Sequence, residues 1–191
     1  KYTDNYIIMM SGSKMFSYAG QRIAIISISD TLYRREYPLL KEFFKMSRLG
    51  DAYVFAVLYA VSSGATHSAQ YALAEMLRAA ADGELDFVTS AAEYARRAKI
   101  SKKMFIDNGF HIVYSMDGDE PVSDGFFYTV GYKGMSSGEL MAEMIRYGMA
   151  TIALSTTGSR QPGVRICVSQ LNRPDQFDML EERLRLFAND H

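Results

Sequence analysis

The sequence has little of what marks several large classes of protein. Its 191 residues include one cysteine, Cys167, so no disulfide framework forms within the chain and a reducing compartment is expected. The 21 basic and 22 acidic residues leave a formal net charge of −1, which offers no basic surface to nucleic acid. No apolar run approaches the roughly 18 residues of a membrane span. We therefore expect a soluble, cytoplasmic protein that binds neither nucleic acid nor a membrane.

Several common catalytic and metal-binding motifs are also missing. His67, His111 and His191 are widely separated and lack metal-ligand spacing, so no metal site is predicted. No serine lies in a nucleophile elbow, and no Walker-type phosphate loop occurs. The acidic stretch at residues 117–124, DGDEPVSD, lacks the spacing of an EF-hand and is predicted to be an exposed hairpin or loop.

The residues that suggest a catalytic or binding site lie instead near the start of the sequence, around Lys14. Ser11, Gly12 and Ser13 offer hydroxyl and backbone N–H donors of the kind that surround phosphate oxygens. Arg22 adds a planar guanidinium that matches a phosphate. A lysine that is partly desolvated beside other positive charge has a lowered pKa and can form a Schiff base. This combination suits a phosphate-bearing aldehyde such as pyridoxal phosphate, although a short S-x-S-K motif alone also occurs in ordinary surface loops.

The longer segment SGSKMFSYAGQRIAI resembles the pyridoxal-lysine signature of class I/II aminotransferases, which are pyridoxal phosphate enzymes of fold type I. The glycine, arginine and small apolar positions that follow the lysine match at Gly20, Arg22, Ile23 and Ala24. Two positions depart from the signature, which usually has an apolar residue in place of Gly12 and a smaller apolar residue in place of Tyr18.

The resemblance assigns a role to each polar residue of the segment. Lys14 would hold the cofactor as a Schiff base, while Ser11, Ser13 and Arg22 would bind its phosphate. In the resembled family this segment lies in the middle of the chain, so the sequence resembles the C-terminal portion of a longer enzyme. We then expect these residues alone to bind the cofactor poorly.

Short apolar runs flank the lysine segment. Residues 5–10 and 22–29 are predicted to form buried strands of a sheet covered on both faces. The lysine turn would then lie at a strand end, where open α/β sheets place ligands. A helix capped by Asp30 or Thr31 is predicted to run to about Met46, with a start or a kink at Pro38.

Three further helical patterns follow. Residues 51–63 are apolar nearly all round, which predicts a buried helix or a contact helix of a subunit interface. Residues 68–80 form the next helix, with Ser68 as its cap. The longest pattern covers residues 84–108 and ends at Asn108-Gly109. In the resembled family, a long helix at this place connects the cofactor domain to the small domain.

The rest of the chain alternates strands with helices, which predicts a compact α+β domain. Strands are predicted over residues 110–115, 125–132, 150–154 and 164–170, and helices over 137–147 and 174–188. Ser136 and Glu139 have the spacing of a capping box. The apolar face of the helix they open would consist of Leu140, Met141, Met144 and Ile145. The predicted fold is therefore α/β, with the end of a fold-type I large domain (1–83), a connecting helix (84–108) and a small α+β domain (109–191).

A second arginine resembles a family feature near the end of the chain. In GSRQPGVRICVSQ, residues 158–170, Arg165 enters a predicted strand after a glycine-containing loop. The resemblance makes Arg165 the residue that pairs with the substrate α-carboxylate, for which a guanidinium provides two parallel hydrogen bonds. Arg160 is a nearby competitor that would bind a side-chain carboxylate or nothing.

These features together predict a pyridoxal phosphate-dependent aminotransferase, represented by its C-terminal part. Its substrates would be an amino acid and a 2-oxo acid, and we expect a homodimer. A carbon–sulfur β-lyase of the same fold uses the same lysine and arginine and remains an alternative. So does a non-catalytic fragment whose role is assembly through the apolar helix near residues 54–61.

Overall fold

The computed structural model describes residues 3–122 and 125–191. The chain divides into two compact units, Lys1–Phe87 and Val88–His191, each with its own strands and helices.

The first unit is a strand pair followed by short helices. Strands β1 (Ile7–Ser11) and β2 (Ala24–Ile28) are antiparallel, with Ser11 opposite Ala24. Between them lie the single-turn helix α1 (Gly12–Met15) and a 3₁₀ turn (Ala19–Gln21). The helices that follow are α2 (Asp30–Arg34), α3 (Pro38–Phe44), α4 (Leu49–Ala52), a π-helix (Tyr53–Leu58), α5 (Tyr59–Ser62) and α6 (His67–Ala81).

Both predicted strands form, but the prediction that they are buried is wrong for this chain. Ile7, Ile8 and Met9 of β1 are 49%, 48% and 74% exposed. In the part of the chain that the structure describes, β1 and β2 make a sheet of two strands. A two-stranded sheet is too small to cover the apolar side chains of both its strands.

The segment after β2 is two helices rather than one. The hydroxyl of Ser29 accepts a hydrogen bond from the Leu32 N–H at 3.3 Å, so Ser29, and not Asp30 or Thr31, caps α2. Pro38 opens α3, where its missing N–H leaves no intrahelical bond unmade. The prediction that a helix starts at Pro38 is confirmed.

Residues 49–62 are continuously helical, with a π-helical turn in the middle. Of the two predicted roles, burial within the chain is contradicted, because Phe55, Tyr59 and Val61 are 65%, 68% and 77% exposed. The apolar residues surround the helix, whereas only one side of a helix can pack against a small unit. The next helix begins at His67, so the predicted cap Ser68 lies inside α6.

The second unit contains a four-stranded antiparallel sheet and three long helices. The sheet has the order β3–β6–β8–β7, made by β3 (Phe110–Ile112), β6 (Phe127–Tyr132), β8 (Val164–Cys167) and β7 (Ile152–Ala153). The helices are α7 (Phe87–Asp107), α8 (Ser137–Arg146) and α9 (Pro174–Asp190). A 3₁₀ turn (Leu154–Thr157) follows β7.

One face of this sheet forms the core with the helices. Val130 of β6 and Val164 of β8 are completely buried, and they pack in one cluster with Phe105 of α7, Leu140 of α8 and Phe187 of α9. Side chains alternate between the two faces along a strand. Arg165, the residue after Val164 in β8, therefore points to the opposite face of the sheet.

The ends of the helices follow the predicted chemistry closely. The capping box is present at α8, where Ser136 and Glu139 exchange hydrogen bonds. Gly109, just after α7, has a φ of +86°, the left-handed conformation predicted there. Ile145, predicted on the apolar face of α8, is instead 55% exposed. It lies at the edge of the helix face whose centre is formed by the buried residues Leu140 and Met144.

The acidic stretch at residues 117–124 begins as a small hairpin of β4 (Met116–Asp117) and β5 (Glu120–Pro121), as predicted. Ser123 and Asp124 lie outside the described residues. Within residues 3–122 and 125–191, no three His, Cys, Asp or Glu side chains come together as a metal site. Over those same ranges, no helix combines the length and apolar character needed to cross a bilayer.

Candidate functional site

Lys14 and Arg22 lie on the same closed loop, which connects β1 to β2. The loop is closed at its base by a hydrogen bond of 3.2 Å from the Gly12 N–H to the Ile23 carbonyl. Lys14 follows β1 by three residues, and Arg22 precedes β2 by two. The antiparallel pairing of the two strands therefore places on one closed loop two residues that are eight positions apart in the sequence.

Lys14 is exposed and lies in the single turn of α1. The turn is held by hydrogen bonds from the N–H groups of Phe16 and Tyr18, at 3.3 and 3.1 Å, to the carbonyl of Gly12. The Phe16 ring packs edge-on against Phe87 with ring centroids 5.4 Å apart. These contacts fix the backbone on both sides of Lys14 while its side chain stays accessible.

Gly12 and Tyr18, the two departures from the aminotransferase signature, pack against each other. Gly12 is buried, and a Cβ atom placed there would be 3.3 Å from the carbonyl oxygen of Ile23 and 3.7 Å from the ring of Tyr18. The Tyr18 N–H also donates to the Gly12 carbonyl. A larger residue at position 12 would press on the Ile23 carbonyl at the base of the loop, whereas its Cβ would be at an ordinary contact distance from the Tyr18 ring.

Arg22 is held in an uncommon backbone conformation, with φ 51° and ψ 50°. For a residue with a side chain this left-handed region is unfavourable by about 1 kcal/mol. One nitrogen of its guanidinium, Nη1, donates to the Ala19 carbonyl at 2.9 Å. Its other donors have no partner among the described residues, so the group is anchored at one end and available at the other.

The two serines of the loop present hydroxyl groups that are likewise available. Ser11 is exposed and Ser13 half-buried, and neither hydroxyl makes a hydrogen bond with any residue that the structure describes. The loop thus offers one primary amine, two hydroxyls and a guanidinium. This donor set fits a molecule with an aldehyde and a phosphate, because the amine can bond to the aldehyde carbon and the other groups donate to phosphate oxygens.

Arg165 lies in the middle of the sheet of the second unit. It faces Thr129 of β6 on one side and Ile152 of β7 on the other. Its guanidinium carbon is 4.3 Å from the centre of the Phe127 ring, a cation–π contact. Among the described residues no carboxylate pairs with this half-buried cation. Its competitor Arg160 is exposed in the loop before β8 and has no acidic partner there either.

Phe127 is a site residue that the sequence did not identify. It faces Cys167, two positions along β8 from Arg165, so it lies diagonally across the strand pair on the same face. Both strands were predicted, and their alternation allows the contact. The register that creates it depends on how the two strands align, which the sequence pattern alone does not specify.

The segment after β8 is anchored to α7 by an ionic cluster. Arg97 donates to the Ser169 carbonyl at 3.2 Å and to the Glu93 carboxylate at 3.0 Å. Arg96 also donates twice to this carboxylate, at 2.7 Å. Hydrogen bonds from Arg96 first, and then from Arg97, lower the pKa of Glu93 from about 4.5 to about 2. The cluster fixes the chain just beyond the strand that carries Arg165.

Comparison with known proteins identifies sequence and structural relatives. The family model for aminotransferase class I and II matches residues 1–183. YbdL from Escherichia coli, for which a methionine aminotransferase function is identified, is similar in structure over 94% of this chain, with a TM-score of 0.65 and 18% identity. L-threonine-O-3-phosphate decarboxylase from Porphyromonas gingivalis is similar over 99%, with a TM-score of 0.55 and 18% identity. None of the curated proteins matches the sequence.

The chain spans 41% of the length of the first of these proteins and 48% of the second. The likeness confirms the predicted fold class, in which helices and strands combine as in pyridoxal phosphate enzymes of fold type I. Because one of the two proteins is an aminotransferase and the other a decarboxylase, the fold by itself does not specify the reaction.

Proposed function

Because the chain belongs to the class I and II aminotransferase family, we propose that it provides the cofactor lysine and the substrate arginine of an aminotransferase. Such an enzyme moves an amino group from an amino acid to a 2-oxo acid. The family assignment confirms the family that the lysine segment resembles, and pyridoxal phosphate is the cofactor of this family. We further propose that residues 1–83 end the cofactor domain, residues 84–108 connect the domains, and residues 109–191 form the small domain.

The observation that carries the proposal is the placement of Lys14 and Arg22 on one loop closed by the Gly12–Ile23 hydrogen bond. Lys14 would hold the cofactor by its aldehyde carbon. Arg22, Ser11 and Ser13 would hold the phosphate, with Arg22 already fixed through Ala19. When bound, pyridoxal phosphate supplies the electron sink for the negative charge that develops at the substrate Cα.

Lys14 has a second task in this proposal, which is to move a proton. With the substrate's amino group bound in its place, the freed amine of Lys14 would take the proton from the substrate Cα and deliver it to the cofactor carbon that carried the aldehyde. A general base must be within hydrogen-bond reach of the proton and must be neutral at the working pH. Two hydrogen bonds to the Gly12 carbonyl fix the backbone of the short turn α1, and this limits the positions that the Lys14 amine can reach.

Arg165 would orient the substrate. A guanidinium forms two parallel hydrogen bonds with a carboxylate, so it fixes the direction of the Cα–H bond as well as binding the acid. The contact with Phe127 supports this role, because the ring holds the guanidinium while its N–H edge remains available. Half-burial strengthens the pairing relative to one fully in water.

The experiment follows the amino group. Because the 191 residues alone are expected to bind the cofactor poorly, the full-length enzyme is incubated with pyridoxal phosphate, a ¹⁵N-labelled amino acid and a 2-oxo acid, and the products are identified by mass spectrometry. We expect ¹⁵N in a new amino acid for the wild type and for Lys45→Ala, a control on an exposed lysine at the end of α3. We expect none for Lys14→Ala. Release of pyruvate and ammonia would instead indicate a β-lyase, and loss of the carboxyl group as carbon dioxide would indicate a decarboxylase.

An assembly role is a second candidate, and it has its own observation. Val54, Phe55, Leu58, Tyr59 and Val61 are between 40% and 77% exposed on consecutive helical turns, which is an unusual amount of exposed apolar surface. We propose that this surface is a contact between two copies of the protein in a homodimer. Sedimentation of Phe55→Lys and Tyr59→Lys tests it: a variant that remains as associated as the wild type contradicts the contact.

A further inference from the structure

The second unit contains a cavity of about 250 Å³ that none of the proposed catalytic residues enters. It lies where α8 ends, beside the end of β8 and the first turns of α9. Its walls are mainly apolar and rich in methionine, and they include Phe105, Met144, Met149, Ile166, Met179 and Leu180. We name it the α8–α9 cavity. Its volume is just below the roughly 300–1,000 Å³ of pockets for drug-sized ligands, so a smaller molecule would fill it.

Arg183 of α9 is the one charged side chain among the described residues that line the cavity. Its Nη1 donates to the carbonyl of Gly148 at 2.6 Å. A Cβ atom at position 148 would be 3.1 Å from the guanidinium carbon, so glycine there lets the side chain lie flat against the backbone. Among the described residues Arg183 pairs with no carboxylate. A half-buried cation at an apolar wall therefore has its positive charge uncompensated.

The other polar groups of the wall can also donate. The side-chain oxygen of Gln176 accepts hydrogen bonds from the backbone N–H groups of Asn172 and Arg173, at 2.9 and 3.0 Å. The NH₂ group of the Gln176 side chain is therefore left to donate hydrogen bonds to a ligand. The hydroxyl of Thr151 is buried and makes no hydrogen bond with the residues described. A buried hydroxyl without a partner is unfavourable, and an acceptor brought in by a ligand would satisfy it after a rotation about χ1.

We propose that the α8–α9 cavity binds a small aliphatic monocarboxylate. The carboxylate would pair with Arg183 and accept from the neighbouring donors, while the hydrocarbon chain would lie among Met144, Met149 and Met179. Methionine side chains adapt to the shape of an apolar ligand because they are unbranched and flexible. This site is separate from Arg165 and does not rest on the proposed aminotransferase activity.

The test is isothermal titration calorimetry of the 191-residue chain with 4-methylpentanoate and with the neutral 4-methylpentanamide. The two probes share their shape and differ in charge, so this comparison needs no variant. We expect saturable binding of the acid and binding of the amide that is weaker by about tenfold or more, because a charge-assisted hydrogen bond is lost. Equal affinities, or no binding of the acid, would overturn the proposal.

Three variants locate the site. Arg183→Met should lower the affinity for the acid by about tenfold or more. Arg185 is an exposed arginine of α9 that does not line the cavity, so Arg185→Met should leave the affinity unchanged. Arg165→Gln should also bind the acid normally. An equal loss in Arg183→Met and Arg185→Met would indicate general charge attraction, and loss in Arg165→Gln would indicate binding at the substrate arginine. Either result would contradict the proposed site.

Discussion

The guanidinium of Arg165 lies 4.3 Å above the ring of Phe127, on the sheet face opposite the core. An arginine side chain on an open sheet face would otherwise sample many rotamers. The ring restricts it and leaves the N–H edge for a carboxylate. This contact makes Phe127 a positioning residue in the proposed mechanism, because it acts through Arg165.

Replacing Phe127 by leucine tests that role. A partly exposed cation–π contact is worth about 0.5–1 kcal/mol, so KM for the amino donor should rise about two- to fivefold with kcat little changed. Phe127→Tyr keeps the ring and should keep KM. A fall in kcat with KM unchanged would show that Phe127 acts on something other than substrate binding.

Gly12 is predicted to be required for the geometry of the lysine loop. In Gly12→Ala the new Cβ would be 3.3 Å from the Ile23 carbonyl oxygen, so the base of the loop has to shift. Overpacking of this kind costs roughly 1–3 kcal/mol, and we expect a lower melting temperature and less reaction of Lys14 with pyridoxal phosphate.

Gly20→Ala is the matched control for this prediction. Gly20 belongs to the same loop, but a Cβ atom there would meet nothing within 4 Å. Its melting temperature and its reaction with the cofactor should equal those of the wild type. If the two variants behave alike, the packing of Gly12 against Ile23 and Tyr18 is not what shapes the loop.

Lowering the pH should weaken the cluster of Glu93 and Arg97 that anchors the chain beyond β8. The pKa of Glu93 is lowered from about 4.5 to about 2, so its carboxylate stabilises the folded state fully above pH 4.5, and this contribution is lost as the pH falls towards 2. Urea unfolding followed by circular dichroism at several pH values measures the effect. Glu93→Gln should lose this part of the pH dependence, and an unchanged profile in that variant would contradict the assignment.

Thr151→Val should stabilise the protein in the absence of ligand. The variant keeps the side-chain shape and removes a buried hydroxyl that lacks a partner among the described residues, a defect of about 1 kcal/mol or more. Thr156→Val is the control, since its hydroxyl donates to the Ala153 carbonyl at 2.7 Å and its loss should destabilise. Thermal unfolding compares the two, and destabilisation by Thr151→Val would show that its hydroxyl has a partner after all.

Local chemistry was predictable from the sequence where neighbouring residues decide it. The capping box of Ser136 and Glu139, the helix start at Pro38 and the left-handed Gly109 all formed as expected, because each depends on a few adjacent residues. The family was predictable for a similar reason, since the residues around Lys14 are contiguous.

Burial and contacts across strands were harder to predict. The apolar runs of β1 and residues 51–63 resemble buried elements, yet Met9 and Val61 are 74% and 77% exposed. Apolar character shows that a side chain prefers to be covered, but it does not show which part of the molecule covers it. The Arg165–Phe127 contact likewise depends on strand register, which local patterns leave open.

Reductive trapping of pyridoxal phosphate tests the central claim most directly. The full-length enzyme is mixed with the cofactor, reduced with borohydride, digested, and mapped by mass spectrometry to find which lysine carries the label. The account predicts that Lys14 is labelled far more than the exposed Lys45, and that free phosphate, by competing at Arg22, Ser11 and Ser13, reduces the labelling of Lys14 selectively. Labelling spread evenly over the lysines, or a total yield unchanged in Lys14→Ala, would contradict it.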